Sequence, residues 1–126
     1  MNLSTAETIL VVDDNRALRE LMEVILCGSG FHVLCAGNGT EALRLARNTP
    51  QIDLLLTDVD MPHMRGDELA THFAVLHPSA PIVFVSGAFS LIKATEPFEF
   101  LAKPFSVSQL CGSVRHALET RSAIAA

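Results

Sequence analysis

The chain has no long apolar run, no cluster of basic residues and no cysteine framework, and each absence removes a class of function. No uninterrupted apolar run exceeds the four residues of Ile9–Val12, far short of the roughly 18 that a membrane span needs. The opening MNLSTAET lacks the basic start and apolar core of a signal peptide. Nine basic residues stand against fourteen acidic ones, a net charge of −5. Without a Lys/Arg patch, direct nucleic-acid binding is not expected. Cys27, Cys35 and Cys111 are odd in number and widely spaced in apolar sequence, so they build neither a disulfide framework nor a zinc site. No repeat, Gly/Ser linker or charge block divides the 126 residues, and 49% of them are apolar. That composition excludes a disordered chain and predicts one domain over residues 1–126, soluble and cytoplasmic, with no membrane attachment.

What is present is an alternation of short apolar runs with helical patterns. Thr8–Val12 (TILVV), His32–Ala36 (HVLCA), Asp53–Thr57 (DLLLT), Pro81–Val85 (PIVFV) and Glu99–Ala102 (EFLA) read as five strands, mostly apolar throughout, as strands buried on both faces require. Asn15 can cap a helix whose Leu18, Leu21, Met22 and Ile25 share one face, and Gly28 and Gly30 end it. Further helices are predicted over Thr40–Arg47, over Asp67–Leu76 with Leu69, Phe73 and Leu76 on one side, and over Ser106–Glu119. In the last, Ser106 is the cap, and Val107, Leu110, Cys111, Val114 and Leu118 are the buried stripe. Five βα units predict an α/β fold, a doubly wound parallel sheet covered by helices on both faces.

In such sheets, sites form beyond the carboxyl ends of the strands. Those places hold Asp13 and Asp14 after the first strand, Asp58 after the third, Ser86 after the fourth and Lys103-Pro104 after the fifth. Three carboxylates brought together repel one another unless a cation sits among them. Oxygen-only donors suit a hard ion such as Mg²⁺, whose open positions accept phosphoryl oxygens. Lys103, one of two lysines in the chain, adds positive charge and Ser86 a hydroxyl. The set fits phosphoryl transfer onto a carboxylate. Taken singly, each Asp is a helix cap, Ser86 a turn residue and Lys103 a solvated charge; the joint placement is what carries the reading.

The motifs VVDDN at 11–15, GNGTEAL at 37–43, LLLTDVDMPHMRGDEL at 54–69, VSGA at 85–88 and FLAKPF at 100–105 resemble, in that order, a response-regulator receiver domain. The match runs over about residues 7–121. The resemblance implies a flavodoxin-like strand order 2-1-3-4-5 and a two-component phosphorelay function. Asp58 is then the phosphoacceptor; Asp14 and Asp58 bind Mg²⁺ directly, Asp13 through water, and Asp60 through its backbone carbonyl. Ser86 and Lys103 contact the phosphoryl group, Phe100 takes the place of the aromatic switch residue, and the Lys103–Pro104 bond is cis. The implied partners are a histidine kinase or histidine phosphotransfer protein and a downstream protein, with the chain a monomer or weak homodimer. The face that switches is formed by the fourth helix, the fifth strand and the fifth helix. The chemistry is self-phosphorylation and self-dephosphorylation at one residue, not that of an enzyme turning over a substrate pool.

Departures from the family pattern are Ser rather than Thr at 86, Phe rather than Tyr at 100, and a charged Asp60, which either steers an attacking water or points to solvent. Only sixteen residues separate Ser86 from Lys103, which shortens the fourth helix to at most Ala88–Glu96, packed through Phe89 and Ile92. GNGTEA at 37–42 fits a dinucleotide-binding pattern, but the chain is too short for two mononucleotide halves and turn chemistry explains it. DVD at 58–60 resembles the Asp-x-Asp of haloacid dehalogenase-type phosphohydrolases, the runner-up, but there the pair follows the first strand. His32, His63, His72, His77 and His116 show no ligand spacing and read as surface or helix-end residues. About five residues follow the last predicted helix, leaving either a stand-alone regulator or the receiver of a hybrid sensor kinase.

Overall fold

The computed structural model describes residues 6–87 and 98–125, the last four through their backbone alone. The helix expected over Ala88–Glu96 lies outside the described residues. Strands β1 (Thr8–Val12), β2 (His32–Ala36), β3 (Leu54–Asp58), β4 (Ile82–Ser86) and β5 (Glu99–Ala102) alternate with helices α1 (Arg16–Gly28), α2 (Gly39–Asn48) and α3 (Gly66–Leu76), and α4 (Val107–Ala125) closes the chain. The sheet is parallel throughout, in the order β2-β1-β3-β4-β5. No helix among the described residues is long and apolar enough to cross a membrane.

The continuous apolar strands have a simple cause. Successive side chains point to opposite faces, and both faces are covered. Leu10, Val12, Leu55 and Phe84 pack with Leu69 and Phe73 of α3 and Ala42 and Ala46 of α2. Ile9, Val11, Leu54, Leu56, Val83 and Val85 pack with Met22 and Leu26 of α1 and Leu110 and Val114 of α4.

The helices start where side chains satisfy free N–H groups. Asn15 Oδ1 accepts from Leu18 N at 3.1 Å, and Asn38 Oδ1 from Glu41 N at 2.8 Å, while the Glu41 carboxylate accepts from Gly37 N. Ser106 and Gln109 cap α4 reciprocally. The GNG turn is thus a cap, and Gly39 leaves room for Met64, whose sulfur lies 2.4 Å from where a Cβ would stand.

Several predicted details are corrected. β3 and β4 each sit one residue later, so Asp58 and Ser86 are the last strand residues rather than the first loop residues. Pairing continues past Asp58 through Val59 N to Val85 O, and past Ser86 through Lys103 N to Ser86 O. Leu21, Leu76 and Val107 are exposed; the inward stripe of α1 runs through Leu18, Met22, Ile25 and Leu26. Cys27 is exposed, not embedded. α4 continues to Ala125 rather than ending at Glu119, because no Gly or Pro stops it and Arg121 is held by Asp53 and Glu7. His77 is stacked on Phe73 and bonded to Ala46 O. His116 pairs with Glu99 of β5, which lifts the imidazole pKa above its ordinary value through that hydrogen bond and the carboxylate charge.

Asp53 closes the amino end of the sheet, accepting from Thr8 N at 2.8 Å, Gln51 and Arg121. Burial pushes its carboxyl up, but these donors outweigh burial and hold it below the ordinary value. A lowered carboxyl contributes stability above the unfolded value of about 3.9, lost as pH falls through the native value. Asp53→Ala should therefore lower unfolding free energy by about 1–3 kcal/mol near neutral pH. Urea titrations should show that gap closing as the solution is acidified.

Candidate functional site

Register brings the candidate residues together. Val12 pairs with both Ala36 and Thr57, so Asp13 and Asp58, each one step further on, leave neighbouring strands at the same level. Asp58 pairs with Val85 and Ser86 with Ala102, which places Ser86 and Lys103 beside them. The carboxylates of Asp13, Asp14 and Asp58 each offer an oxygen within 4.8 Å of the other two. Asp13 is fully buried, Asp58 nearly so and Asp14 exposed. The cluster could bind a metal: three hard oxygen donors, one facing solvent, fit an ion that keeps part of its water.

One ammonium compensates this charge among the described residues. Lys103 Nζ stands 3.3 Å from Asp13 Oδ2 and 3.5 Å from Asp58 Oδ1. The compensation is partial. Burial raises the Asp58 carboxyl pKa and repulsion from Asp13 raises it further, against the opposing pull of Lys103 and a hydrogen bond from the Asp60 backbone N–H. Lys103 follows directly on β5, its N–H bonded to Ser86 O at 2.8 Å, and the Lys103–Pro104 bond is cis. Ser86 is buried. Phe100 packs on Phe84 with ring centroids 5.4 Å apart, on the α2/α3 side of the sheet. The Asp60 side chain is exposed and turned toward Arg65 at 3.4 Å, and Arg65 also holds Asp67.

Three supporting residues were not singled out from the sequence. Thr57, fully buried, donates its hydroxyl to Asp58 O at 3.0 Å. Arg19 donates to Asp13 O at 2.7 Å. Gly66 packs so closely under the β3 end that a Cβ would stand 2.1 Å from Asp58 O. The glycine after Met64-Arg65 was the available signal for the last; hydrogen bonds to backbone carbonyls leave none in a sequence pattern.

Residues 9–115 match the family model of the response regulator receiver domain. Sensor kinase CckA of Brucella abortus (strain 2308) is 36% identical over 124 residues, covering 94% of this chain and 13% of that protein. The DNA-binding transcriptional regulator NtrC of Azospirillum brasilense is 35% identical over 127 residues, 97% of this chain and 26% of the relative. The chain therefore spans about 13–26% of the length of these curated relatives. Among solved structures, the receiver domain of the hybrid histidine kinase CckA superposes with a TM-score of 0.79 at 35% identity, covering 88% of this chain and 98% of that one. A response regulator receiver protein from Sinorhizobium medicae WSM419 gives 0.84 at 30% identity, covering 92% and 97%.

Two outcomes follow from the packing and charge of the site. Gly66→Ala forces backbone apart and should lower unfolding free energy by about 2–3 kcal/mol in denaturant titrations. The raised Asp58 carboxyl means that the folded chain holds this proton more tightly than the unfolded one. Stability therefore falls as pH rises from about 3.9 through the raised native value. In buffer free of divalent cations, Asp58→Asn should raise the melting temperature at neutral pH by about 2–6 °C, a gain that disappears in acid.

Proposed function

The chain belongs to the response regulator receiver family, and from that membership we propose that it accepts a phosphoryl group on Asp58 from a phosphohistidine of a partner kinase or phosphotransfer protein. The observation that carries this is the convergence of three carboxylates and one ammonium at the ends of three strands. In the transfer, the histidine N–P bond breaks as a bond forms between phosphorus and an Asp58 carboxylate oxygen, leaving imidazole. Hydrolysis later returns the carboxylate and inorganic phosphate.

Asp58 attacks as the ionised carboxylate, and Lys103 favours that form while Asp13 and burial oppose it. Mg²⁺ fits the oxygen donors: Asp14 and Asp58 would hold it directly, Asp13 through water and Asp60 through its backbone carbonyl. When bound, it supplies positive charge to the acids and to the phosphoryl oxygens. Ser86 donates its hydroxyl to the phosphoryl group, Lys103 pairs with one of its oxygens, and Phe100 reports the change to the β5 face. The exposed Asp60 side chain pairs with Arg65.

Residues 1–126 act as one domain, in the cytoplasm, as a monomer or weak homodimer without nucleic-acid or membrane contact of its own. Similarity to the receiver of CckA supports a place in a hybrid sensor kinase beside the stand-alone reading. A haloacid dehalogenase-type hydrolase is disfavoured, since Asp58-Val59-Asp60 follows the third strand in a receiver-family chain.

Incubation with Mg²⁺ and acetyl phosphate should add one phosphoryl group by intact mass, and Asp58→Asn should add none. A stable, stoichiometric modification of Asp58→Asn overturns the assignment. Asp14→Ala should weaken Mg²⁺ binding more than Asp13→Ala, whose effect through water should be about 10–100-fold. Lys103→Ala should leave Mg²⁺ bound and uncouple phosphorylation from conformational change.

A further inference from the structure

Every polar group of the buried Asp13 has its own anchor. Its N–H donates to Ala36 O of β2 at 3.2 Å. Oδ1 accepts from Asn15 N at 2.9 Å, and Oδ2 faces Lys103 Nζ at 3.3 Å. The carbonyl oxygen accepts from Arg19 Nη1 at 2.7 Å, the shortest of the four. That carbonyl belongs to the peptide joining Asp13 to Asp14. Because the peptide is planar, fixing its oxygen fixes the plane from which the Asp14 backbone continues.

Asp14 itself is exposed, so the direction of its side chain depends on that plane. The guanidinium lies beside the β2–α2 turn. A Cβ at Gly37 would stand 3.3 Å from Arg19 Nη1 and 3.7 Å from Cζ, so the residue after β2 lacks a side chain where the guanidinium lies. Arg19 thereby ties α1 to the end of β1, with its guanidinium alongside the β2–α2 turn.

We infer that Arg19 is a positioning residue of the metal site, acting on Asp14 through the Asp13 carbonyl; this rests on Asp13, Asp14 and Asp58 being the Mg²⁺ site. Two simpler roles predict different outcomes. As a bare positive charge near a cation site, Arg19 repels the ion, and its removal tightens binding. As a purely structural contact, its removal lowers stability and leaves affinity unchanged. As a positioning group, its removal weakens binding.

Calorimetric titration of Mg²⁺ into wild type, Arg19→Met and Arg19→Lys separates these, with melting temperatures taken in chelator. Met keeps the apolar stem and removes the donors; Lys keeps a donor and the charge. Arg19→Met should raise the Mg²⁺ Kd about tenfold, and Arg19→Lys should recover most of that loss. A lower melting temperature with unchanged Kd, or tighter Mg²⁺ binding, overturns the inference. Should Arg19→Met not fold, Arg19→Leu, which also keeps apolar bulk and removes the donors, carries the same comparison. Wild type that binds no Mg²⁺, or binds it equally well after Asp14→Ala, instead overturns the site reading, so the two failures are distinct.

Discussion

The ammonium of Lys103 stands between two buried carboxylates, and much of the architecture serves to keep it there. Asp13 and Asp58 leave β1 and β3 at one level because those strands pair in register. Neither acid can escape to solvent, and their mutual repulsion is opposed by one cation whose backbone is tied to β4. Burying like charges is unfavourable unless they are paired and hydrogen-bonded. The fold offsets that cost with two apolar layers, one on each face of the sheet. The charge of the acids is thereby left only partly balanced.

The two ends of the sheet show opposite electrostatics. At the amino end, Asp53 collects a backbone N–H, an amide and a guanidinium and is held easily ionised. At the carboxyl end, Asp58 is held against its charge. Asp53 immediately precedes β3 and Asp58 ends it; more donors at the first, and deeper burial with the Asp13 charge at the second, separate them. The first contributes stability at neutral pH; the second costs it there.

Much of this was legible in the sequence, for physical reasons. Short apolar runs bounded by turn residues mark β1, β2 and β5 to the residue, even though β2 and β5 are edge strands with one buried residue each. β3 and β4 are displaced by one because strand ends are set by hydrogen bonds from Val59 and Lys103, which hydropathy does not encode. Asp13, Asp14, Asp58, Ser86 and Lys103 could be read because carboxylates, a hydroxyl and a rare lysine recur at strand ends. Arg19 and Thr57 could not, since both act on backbone carbonyls; Gly66 left a glycine as its signal, but not the close approach that requires it. Exposed Leu21 and Val107 misled the stripes of α1 and α4, because a 3.6-residue period marks a direction but not how far the covering layer extends.

The bond from Lys103 N to Ser86 O also makes the chain between them a closed ring, its ends pinned 2.8 Å apart. For a segment tethered at both ends, closure entropy grows only with the logarithm of length. Adding four residues to the sixteen between Ser86 and Lys103 would cost about 0.2 kcal/mol. Length in this segment is therefore nearly free to drift in evolution. Pinning by β4 and β5 keeps Ser86 and Lys103 beside Asp13 and Asp58 whatever the length of chain between them.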